Sequence, residues 1–302
     1  MCANNSPLVS IIMPGYNSAE YFPAAIQSVL DQTYTNWELL IFNDGSTDNT
    51  DEAIAFFLDD SRIHYTKQEN LGQPKTRNKG VQMAKGNLIA LLDADDIWKP
   101  TKLEKQVTIF DKYPDVGVCG TAMELIRPTG EVFAASERKE FYGRAVPGLV
   151  TGDLAVAMSA SVTRREVYDK IGFFDEGFLP FSMDYDFWLR ASMEYMFYNI
   201  EEKLVQYRTG HPSISQEGGD KRRDLVMNVV IPRFVNEYGG SKYVKWYHIW
   251  KLRSKSYASR AAGKKNMGPK IYWLIRSLLC CPMNRDALGA LFRVFFPKKI
   301  QK

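Results

Sequence analysis

The sequence predicts an α/β protein with a doubly wound, mostly parallel β-sheet flanked by helices, followed by a C-terminal helical, basic extension. Three observations lead to this prediction. Strand-like apolar runs alternate with helix-like segments, polar clusters follow the strands, and the last part of the chain is strongly basic. The 302 residues, 45% of them hydrophobic and 13% aromatic, are ample for a folded core and exclude wholesale disorder.

The first part of the chain alternates between the two periodicities. Short apolar runs that end at turn residues predict strands at 9–13, 37–42, 63–66 and 87–92. Apolar residues at helical spacing predict helices at 22–30, 47–58 and 73–84. Because the order is βαβαβαβ, right-handed crossovers and a parallel sheet follow. Ligands of such sheets bind at the carboxyl ends of the strands, where the polar clusters lie.

The pattern beyond Trp98 is less regular. Helices are predicted at 102–111, 165–171 and 183–193, with a strand near 116–120 and a hairpin-like stretch whose turn is 128–130. From about Lys221 the chain is expected to form helices separated by Gly239-Gly240, Gly268-Pro269 and Pro282.

The first residues and the cysteines bear on the compartment. No apolar run reaches 18 residues and the N-terminus lacks a signal-peptide pattern, so we expect a cytoplasmic chain without a membrane-spanning helix. The four cysteines form no CxxC pair, and we expect reduced, structural thiols.

An acid cluster directly follows the strand at 87–92. Asp93, Asp95 and Asp96 crowd carboxylates at a strand end, which packing alone explains poorly. Oxygen-rich sites of this kind suit Mg²⁺ or Mn²⁺. The structural alternative is an Asp-rich turn that caps the helix after Pro100.

Weaker polar signals follow the other strands. Asp44 suits a nucleotide hydroxyl or base contact, or an Asx-type turn and helix cap. Arg77, on a predicted helix, suits phosphate or base contacts, or is an ordinary surface arginine. Tyr16 follows Pro14-Gly15 on a tight turn, which by itself is most simply a packed turn.

Taken together, the motifs resemble family 2 inverting glycosyltransferases of the GT-A fold, over roughly residues 8–215. The matching segments are VSIIMPGYN (9–17), SVLDQ (28–32), NDGSTDNT (43–50), NLGQPKTRNKG (70–80), LLDADDIWKP (91–100), GFFDE (172–176) and MDYDFWLRA (183–191). The resemblance implies a catalytic domain at 1–235, with a nucleotide-binding half at about 8–115 and an acceptor half at about 116–220. The helical extension is then 236–302.

The resemblance also implies roles for single residues. Pro14 and Tyr16 would line the donor base, Asp44 would pair with uracil with Arg77 in support, Asp93 would contact the ribose, Asp95 would bind the metal, and Asp184 would be the catalytic base. Asp186 is a second candidate for the base, unless it pairs with Arg190 four residues on. Asn43 stands where the family often has Asp, which costs little because Asp44 is the matching acid. Met183 stands where the family usually has Glu, so the acceptor contacts are expected to differ from those of the family.

A downstream segment resembles the loop that covers the donor diphosphate in relatives. Arg208, His211, Ser213 and Ser215 are its candidate phosphate contacts, and an ordinary polar loop is the alternative. The stretch Thr151–Thr163, with Ser159 and Ser161, is expected to line the acceptor cleft.

The end of the chain is basic and aromatic. Residues 241–302 hold fifteen Lys and Arg and one acid, Asp286, a net charge of +14 against −10 for residues 1–240. Aromatic residues interleaved with cations predict helices that lie on an anionic membrane surface. A helical bundle with a solvated basic face is the alternative, and nucleic acid fits poorly because no nucleic-acid-binding module accompanies the charge.

The sequence therefore predicts a metal-dependent inverting glycosyltransferase of hexosyltransferase type, peripheral on the cytoplasmic face of the membrane. It would use Mn²⁺ or Mg²⁺ and move sugar from a nucleotide donor, a UDP-sugar, to a lipid-linked saccharide in cell-surface polysaccharide biosynthesis. A nucleotidyltransferase is one alternative, disfavoured because no Gly-rich, Lys-bearing triphosphate loop follows the first strand. A sugar-nucleotide sensor or scaffold is another, and it predicts a broken acid set.

Overall fold

The computed structural model describes residues 6–177, 182–211, 219–262, 264, 266–282, 284, 286–288 and 290–291. These residues form two compact units. The first unit comprises residues 1–144 and 156–217, and the second comprises 145–155 and 218–302. The predicted boundary at 236 falls inside the second unit, which begins earlier and includes a short segment from the middle of the chain.

The first unit is built on one ten-stranded sheet. Its strands are β1 Val9–Gly15, β2 Trp37–Asp44, β3 Ile63–Gln68, β4 Leu88–Leu91, β5 Ile97–Trp98, β6 Val116–Ile126, β7 Val132–Ala135, β8 Phe141–Gly143, β9 Val162–Arg164 and β10 Met196–Arg208. The main order is β3-β2-β1-β4-β9-β6-β10-β5, with β7 on β6 and β8 on β10. The sheet is parallel from β3 to β4, and the remaining pairings are antiparallel except that of β6 with β10.

The central strands are apolar because both faces of the sheet are covered. Every residue of β2 and all but the last residue of β1 are buried. Continuous apolar runs of this kind are typical of parallel strands between helical layers. The predicted alternation of strand and helix is confirmed over this region.

Among the described residues up to 194, seven α-helices accompany these strands. They are α1 Phe22–Leu30, α2 Thr50–Ala55, α3 Gln73–Met83, α4 Lys102–Lys112, α5 Val146–Thr151, α6 Arg165–Ile171 and α7 Met183–Glu194, of which α5 belongs to the second unit. The buried faces of α1 and α4, with Phe22, Ile26, Val29, Leu103, Val107 and Phe110, join the core cluster of the sheet. Helix α2 is shorter than predicted, since the chain turns after Ala55.

The second unit centres on a helical hairpin. Its elements after residue 218 are α8 Gly219–Leu225, a π-helical turn Val226–Val230, α9 Ile231–Asn236, α10 Trp246–Ala262 and α11 Met267–Cys280. Ser254 of α10 and Ser277 of α11 are fully buried, and each hydroxyl reaches the other residue's carbonyl oxygen at 2.8 Å. Such small residues allow close helix contact. Gly268-Pro269, expected between helices, lies in the first turn of α11, where proline is tolerated.

No helix in the described part of the chain has both the length and the apolar character that a membrane span requires.

The close contact of α3 with the sheet gives a test of the packing. A Cβ on Gly80 would lie 2.5 Å from Cγ2 of Ile12 and 3.1 Å from the Phe42 ring. We expect Gly80→Ala to lower the free energy of unfolding by about 1–3 kcal/mol, because overpacking forces the helix away from the sheet. Gly268→Ala is the control, since a Cβ there meets nothing within 4 Å. Thermal unfolding of both variants measures the effect, and equal midpoints would contradict the close contact.

Candidate functional site

The candidate residues from four strands lie along one edge of the sheet. β1 pairs in parallel with both β2 and β4, so Gly15 lies opposite Asn43, and Ile12 lies opposite Leu91. Strand β9 is antiparallel to both β4 and β6, and β10 is parallel to β6, so the carboxyl end of β10 also reaches this edge. The sheet therefore brings the segments after Pro14, Asn43, Leu91 and Tyr207 to one side.

The loop after β1 is tied to the loop after β2. The backbone N–H of Asn17 donates to Oγ of Ser46 at 2.9 Å, and the Asn17 side-chain oxygen accepts from the Thr47 N–H at 2.8 Å. Asn17 adopts a φ of 50°, a left-handed conformation that Asn tolerates. Tyr16 is 49% exposed on this fixed loop, whereas Pro14 is buried within β1. Of the two residues predicted to line the base, Tyr16 offers an exposed ring.

Asp44 is buried and anchors the segment that leads into α3. Its carboxylate accepts from the N–H groups of Leu71 and Gly72 at 3.0 and 2.9 Å. It also accepts from the side chains of Gln68 and Thr76 at 2.8 and 2.9 Å. Three of these bonds end on Oδ1 and one, from Gly72, ends on Oδ2. The predicted contact with uracil stays a prediction, and the anchoring was not foreseen from the sequence.

The amide at position 43 is explained by its neighbours. Asn43 donates from Nδ2 to Oδ1 of Asp51 at 2.7 Å, and its Oδ1 accepts from the Ser46 N–H at 2.8 Å. Hydrogen bonds from Lys67, Tyr65 and Asn43 lower the pKa of Asp51 to about 2. An Asp at position 43 has no donor when ionised and would add a second charge beside Asp51. The Asn at position 43, where the family often has Asp, is therefore explained by its hydrogen bond to Asp51.

Arg77 is buried beneath the acid cluster. It is 1% exposed on α3, forms an ion pair with Asp93, and donates from Nη1 to Oε1 of Gln73 at 2.9 Å. Burial raises the pKa of Asp93, the Arg77 guanidinium opposes that rise, and the carboxylates of Asp95 and Asp184 add to it. Arg77 thus supports the acid cluster directly, and Asp184 lies close enough to Asp93 to share its electrostatic field.

The backbone and hydroxyl of Ser159 hold the start of the acid segment. The Asp93 N–H donates to Oγ of Ser159 at 3.1 Å, and Trp98 Nε1 donates to the Ser159 carbonyl at 2.7 Å. Ser159 and Ser161 are both buried, and Ser161 donates to the Met158 carbonyl. Both hydroxyls thus bond within the fold, and the expectation that the stretch Thr151–Thr163 lines the acceptor cleft stays a prediction.

The end of β10 is fixed against the acid segment. The Arg208 N–H donates to Oδ1 of Asp96 at 3.0 Å, and Arg208 Nε donates to the Asp95 carbonyl at 2.9 Å. Its Nη1 donates to the Pro128 carbonyl at 2.6 Å. Burial, with the nearby Asp95 and Asp93 carboxylates, raises the pKa of Asp96 well above its usual range. Arg208, predicted as a diphosphate contact, anchors this loop with at least these three donors.

His211 is brought to the predicted metal ligand. Its Nε2 lies 2.8 Å from Oδ2 of Asp95, and its ring lies 5.2 Å from the Tyr21 ring, centroid to centroid. The sequence motif predicted that Asp95 and His211 serve the same diphosphate, and the fold places them in contact. Ser213 and Ser215, the other predicted members of this loop, lie outside the described residues.

The donor set at Asp95 has the chemistry of a divalent-cation site. In the described part of the chain, no group of three or more His, Cys, Asp or Glu side chains is arranged to hold an ion. Mg²⁺ is usually held by one or two carboxylates together with waters and substrate phosphates, so a complete protein cage is not required. Asp95 is about a quarter exposed beside the imidazole of His211, which fits such a site.

The two acids that begin α7 have different surroundings. Asp186 is 1% exposed and accepts from Nε of Arg190 at 2.9 Å, which confirms the predicted pairing four residues apart. Arg190 also donates to the carbonyls of Ile171 and Phe173. Asp184 is partly exposed, and its Oδ1 accepts from the Tyr185 N–H at 2.8 Å. Asp184 is therefore the acid of the two that a substrate can reach.

Met183 also faces the Arg77 side of the site. It is buried, and its sulfur lies 3.8 Å from Nη1 of Arg77. The Arg77 guanidinium already pairs with the carboxylate of Asp93, and a Glu at position 183 would bring a second carboxylate close to it. The contact of Met183 with Arg77 and the hydrogen bond from Arg208 to Asp96 both join residues far apart in sequence. The three acids at 93–96 drew attention to Asp96, whereas no sequence pattern pointed to the contact of Met183.

Known proteins resemble the chain in both sequence and fold. The Glycosyl transferase family 2 profile matches residues 10–172. An uncharacterized glycosyltransferase of Rickettsia prowazekii is 35% identical over 209 residues, which cover 67% of this chain and 64% of that protein. The putative teichuronic acid biosynthesis glycosyltransferase TuaG of Bacillus subtilis is 32% identical over 218 residues, covering 70% of this chain and 83% of TuaG. The match to the Rickettsia protein thus spans less than two thirds of its length.

Solved structures share the fold at low identity. TarS 1-349 of S. aureus aligns with a TM-score of 0.64 and 18% identity over 95% of this chain and 80% of TarS, which has also been solved with UDP and with UDP-GlcNAc. The mannosyltransferase PcManGT of Pyrobaculum calidifontis, in complex with GDP-Man and Mn²⁺, aligns with a TM-score of 0.58 and 15% identity over 98% of this chain and 89% of its own. Since the family profile covers more than half of the chain and the fold is GT-A, this chain belongs to glycosyl transferase family 2.

Proposed function

We propose that the chain is a metal-dependent inverting glycosyltransferase that moves a sugar from a nucleotide donor to a saccharide acceptor. The observation that carries the proposal is the closeness of Asp93, Asp95 and Asp184 around the buried Arg77, which pairs with Asp93 and contacts Met183, the residue before Asp184. A buried guanidinium under three carboxylates fits a site that handles a diphosphate and a proton together. A sensor or scaffold would have no use for a reachable acid such as Asp184.

The donor is proposed to be a UDP-sugar. Tyr16 presents an exposed ring on a loop that is tied to the loop after β2, as a base-stacking residue requires. Asp44 fixes the neighbouring segment 68–76, and Asp93 follows β4 at the same edge. The UDP and UDP-GlcNAc complexes of TarS support uridine as the base, although PcManGT binds GDP-Man.

Asp95 would hold a divalent cation, with His211 beside it. When bound, the ion would neutralise negative charge on the departing diphosphate. Asp96 and Arg208 fix the backbone on either side of this pair, so Asp95 is held in place before the donor arrives. The Mn²⁺ in the PcManGT complex supports a cation of this type.

Asp184 is proposed as the general base. It would take the proton of the acceptor hydroxyl while that oxygen bonds to the anomeric carbon of the donor sugar. The bond from this carbon to the diphosphate oxygen breaks on the opposite face, its electron pair leaves with the nucleoside diphosphate, and the configuration inverts. The ion pair of Asp186 with Arg190 holds the first turn of α7, which keeps Asp184 at its position.

The acceptor is proposed to be a lipid-linked saccharide in cell-surface polysaccharide biosynthesis, at the cytoplasmic face of a membrane. The name of TuaG, a putative teichuronic acid biosynthesis enzyme, supports the pathway class. The basic, aromatic helices of the second unit support the membrane setting.

The donor is tested with a panel of nucleotide sugars. We expect the full chain with Mn²⁺ to release UDP from a UDP-sugar faster than GDP from GDP-mannose, measured by coupled detection of the released nucleoside diphosphate. Asp93→Ala is the comparison variant: it removes the predicted ribose contact, which uridine and guanosine donors share, so it should slow the release of both UDP and GDP. Preferential hydrolysis of a guanosine donor would replace uridine in the proposal.

The base is tested by Asp184→Asn. The amide keeps the size of the side chain but cannot accept the proton, so kcat should fall at least ~100-fold while donor affinity hardly changes. Asp186→Asn is the comparison variant. It should instead lower the free energy of unfolding by about 3 kcal/mol, because it leaves Arg190 without its buried carboxylate. If Asp184→Asn kept normal turnover and a folded Asp186→Asn lost it, the general base would be Asp186 and not Asp184.

The cation is tested by Asp95→Ala. We expect the variant to keep its fold and to lose Mn²⁺-dependent transfer, because a partly exposed ligand supports no apolar core. Mn²⁺ binding in the presence of UDP, followed by electron paramagnetic resonance, gives a readout that is independent of turnover. Full activity of the variant in a chelator, or unchanged Mn²⁺ binding, would exclude Asp95 as a ligand.

A further inference from the structure

We propose that one outward face of α10 and α11 is a docking surface for an anionic lipid bilayer. The inference concerns the second unit alone and does not rest on the proposed transfer reaction. It follows from which residues of the two helices are exposed, which are paired, and which are buried between them.

The first half of this face is a stripe along α10. Trp246, Trp250, Arg253 and Tyr257 recur at spacings of four, three and four, so they lie along one side of the helix. Trp246 is 69% and Trp250 46% exposed, and their rings contact each other edge to face at 5.6 Å between centroids. Large aromatic side chains this exposed are unusual on a face that meets only water.

The second half is a stripe along α11. Tyr272, Ile275, Arg276 and Leu279 lie on one side of that helix by the same spacing rule, and all four are exposed. Leu279 is the most exposed of them, at 71%. The other side of α11 carries the buried Leu274 and Ser277, and Ser277 bonds to α10. The exposed side is therefore not the side that packs in the helical hairpin.

Aromatic contacts join the two stripes. Tyr257 of α10 stacks on Trp273 of α11, with ring centroids 5.5 Å apart. The Arg276 guanidinium lies 5.5 Å from the ring centroids of both Tyr257 and Tyr272. The docking surface is thus one patch of rings and aliphatic side chains with arginines set among them, here defined as Trp246, Trp250, Arg253, Tyr257, Tyr272, Ile275, Arg276 and Leu279.

The other three cations of α10 are all paired with acids of the second unit. Lys251 and Lys255 both bond to Asp153, at 2.6 and 2.5 Å, and Arg260 pairs with Asp224. These cations serve contacts within the second unit. Arg253 and Arg276, by contrast, are exposed and have no acidic partner among the residues that the structure describes.

Charge complementarity selects the occupant. Aromatic rings and aliphatic groups with interspersed arginines match the interface of a bilayer, where rings sit at headgroup depth and cations meet lipid phosphates. A second copy of the chain would bring the same arginines against each other, which like-charge repulsion disfavours. An anionic lipid surface is therefore the occupant that we propose.

The test is sedimentation of the full chain with phosphatidylcholine vesicles that contain or lack phosphatidylglycerol. We expect binding only to the anionic vesicles, weakening as salt rises. Arg253→Gln with Arg276→Gln should weaken binding by about 30-fold, since each cation near an anionic leaflet contributes about 1 kcal/mol. Trp250→Ala with Leu279→Ala should weaken it by at least about tenfold through lost interfacial burial.

The control removes two positive charges elsewhere. Lys85→Gln with Lys139→Gln changes two exposed lysines of the first unit, and binding should stay within about twofold of the original. Circular dichroism confirms that each variant is folded. The proposal is overturned by equal binding to both vesicle types, by normal binding of the double arginine variant, or by a dimer in light scattering that Trp250→Ala dissociates. Transfer to a soluble acceptor should be unchanged, so failure here leaves the proposed reaction standing.

Discussion

The arrangement of the site depends on one ion pair, between the buried Arg77 and the partly exposed Asp93. Carboxylates crowded at the end of β4 repel one another, and the guanidinium beneath them is the fixed charge that offsets this. Arg77 reaches Asp93 because α3 lies against β1 and β2 where Gly80 has no side chain to separate them. The close contact of α3 with the sheet at Gly80 thus helps to place Arg77, three residues earlier on the same helix, beside the carboxylates at the sheet edge.

Hydrogen bonds between loops give this edge its rigidity. Asp44 accepts from backbone and side-chain donors of the segment before α3, and Asn17 joins the loops after β1 and β2. Asp96 and Arg208 do the same for the loop after β4 and the end of β10. Groups held this way need little reorganisation when a ligand binds, which is the physical basis of preorganised catalysis.

The sequence predicted the first four strands and the helices between them because each carries its own periodicity. It missed β5, β8, β9 and β10, whereas β7 follows the turn of the hairpin-like stretch predicted at 128–130 and pairs with β6. Strand β10 contains Glu201, Glu202 and Lys203 and is a strand because it pairs with β6, a contact between distant segments. Individual site residues were predictable where a strand ends in acids, as at Asp93 and Asp95. The anchoring by Asp44, the burial of Ser159 and the link between Asn43 and Asp51 depend on partners that no local pattern indicates.

The net charge of a segment is a coarse guide to its surface, because the count does not show which cations are paired inside the fold. The count of +14 over residues 241–302 treats every cation alike, yet Lys251 and Lys255 neutralise Asp153 within their own unit. Residues 251 and 255 lie about half a turn from residues 246 and 250. The side of α10 that pairs with Asp153 is therefore opposite the aromatic stripe. On the docking surface, Arg253 and Arg276 lie among exposed rings, and such mixed composition distinguishes a bilayer interface from a merely soluble basic face.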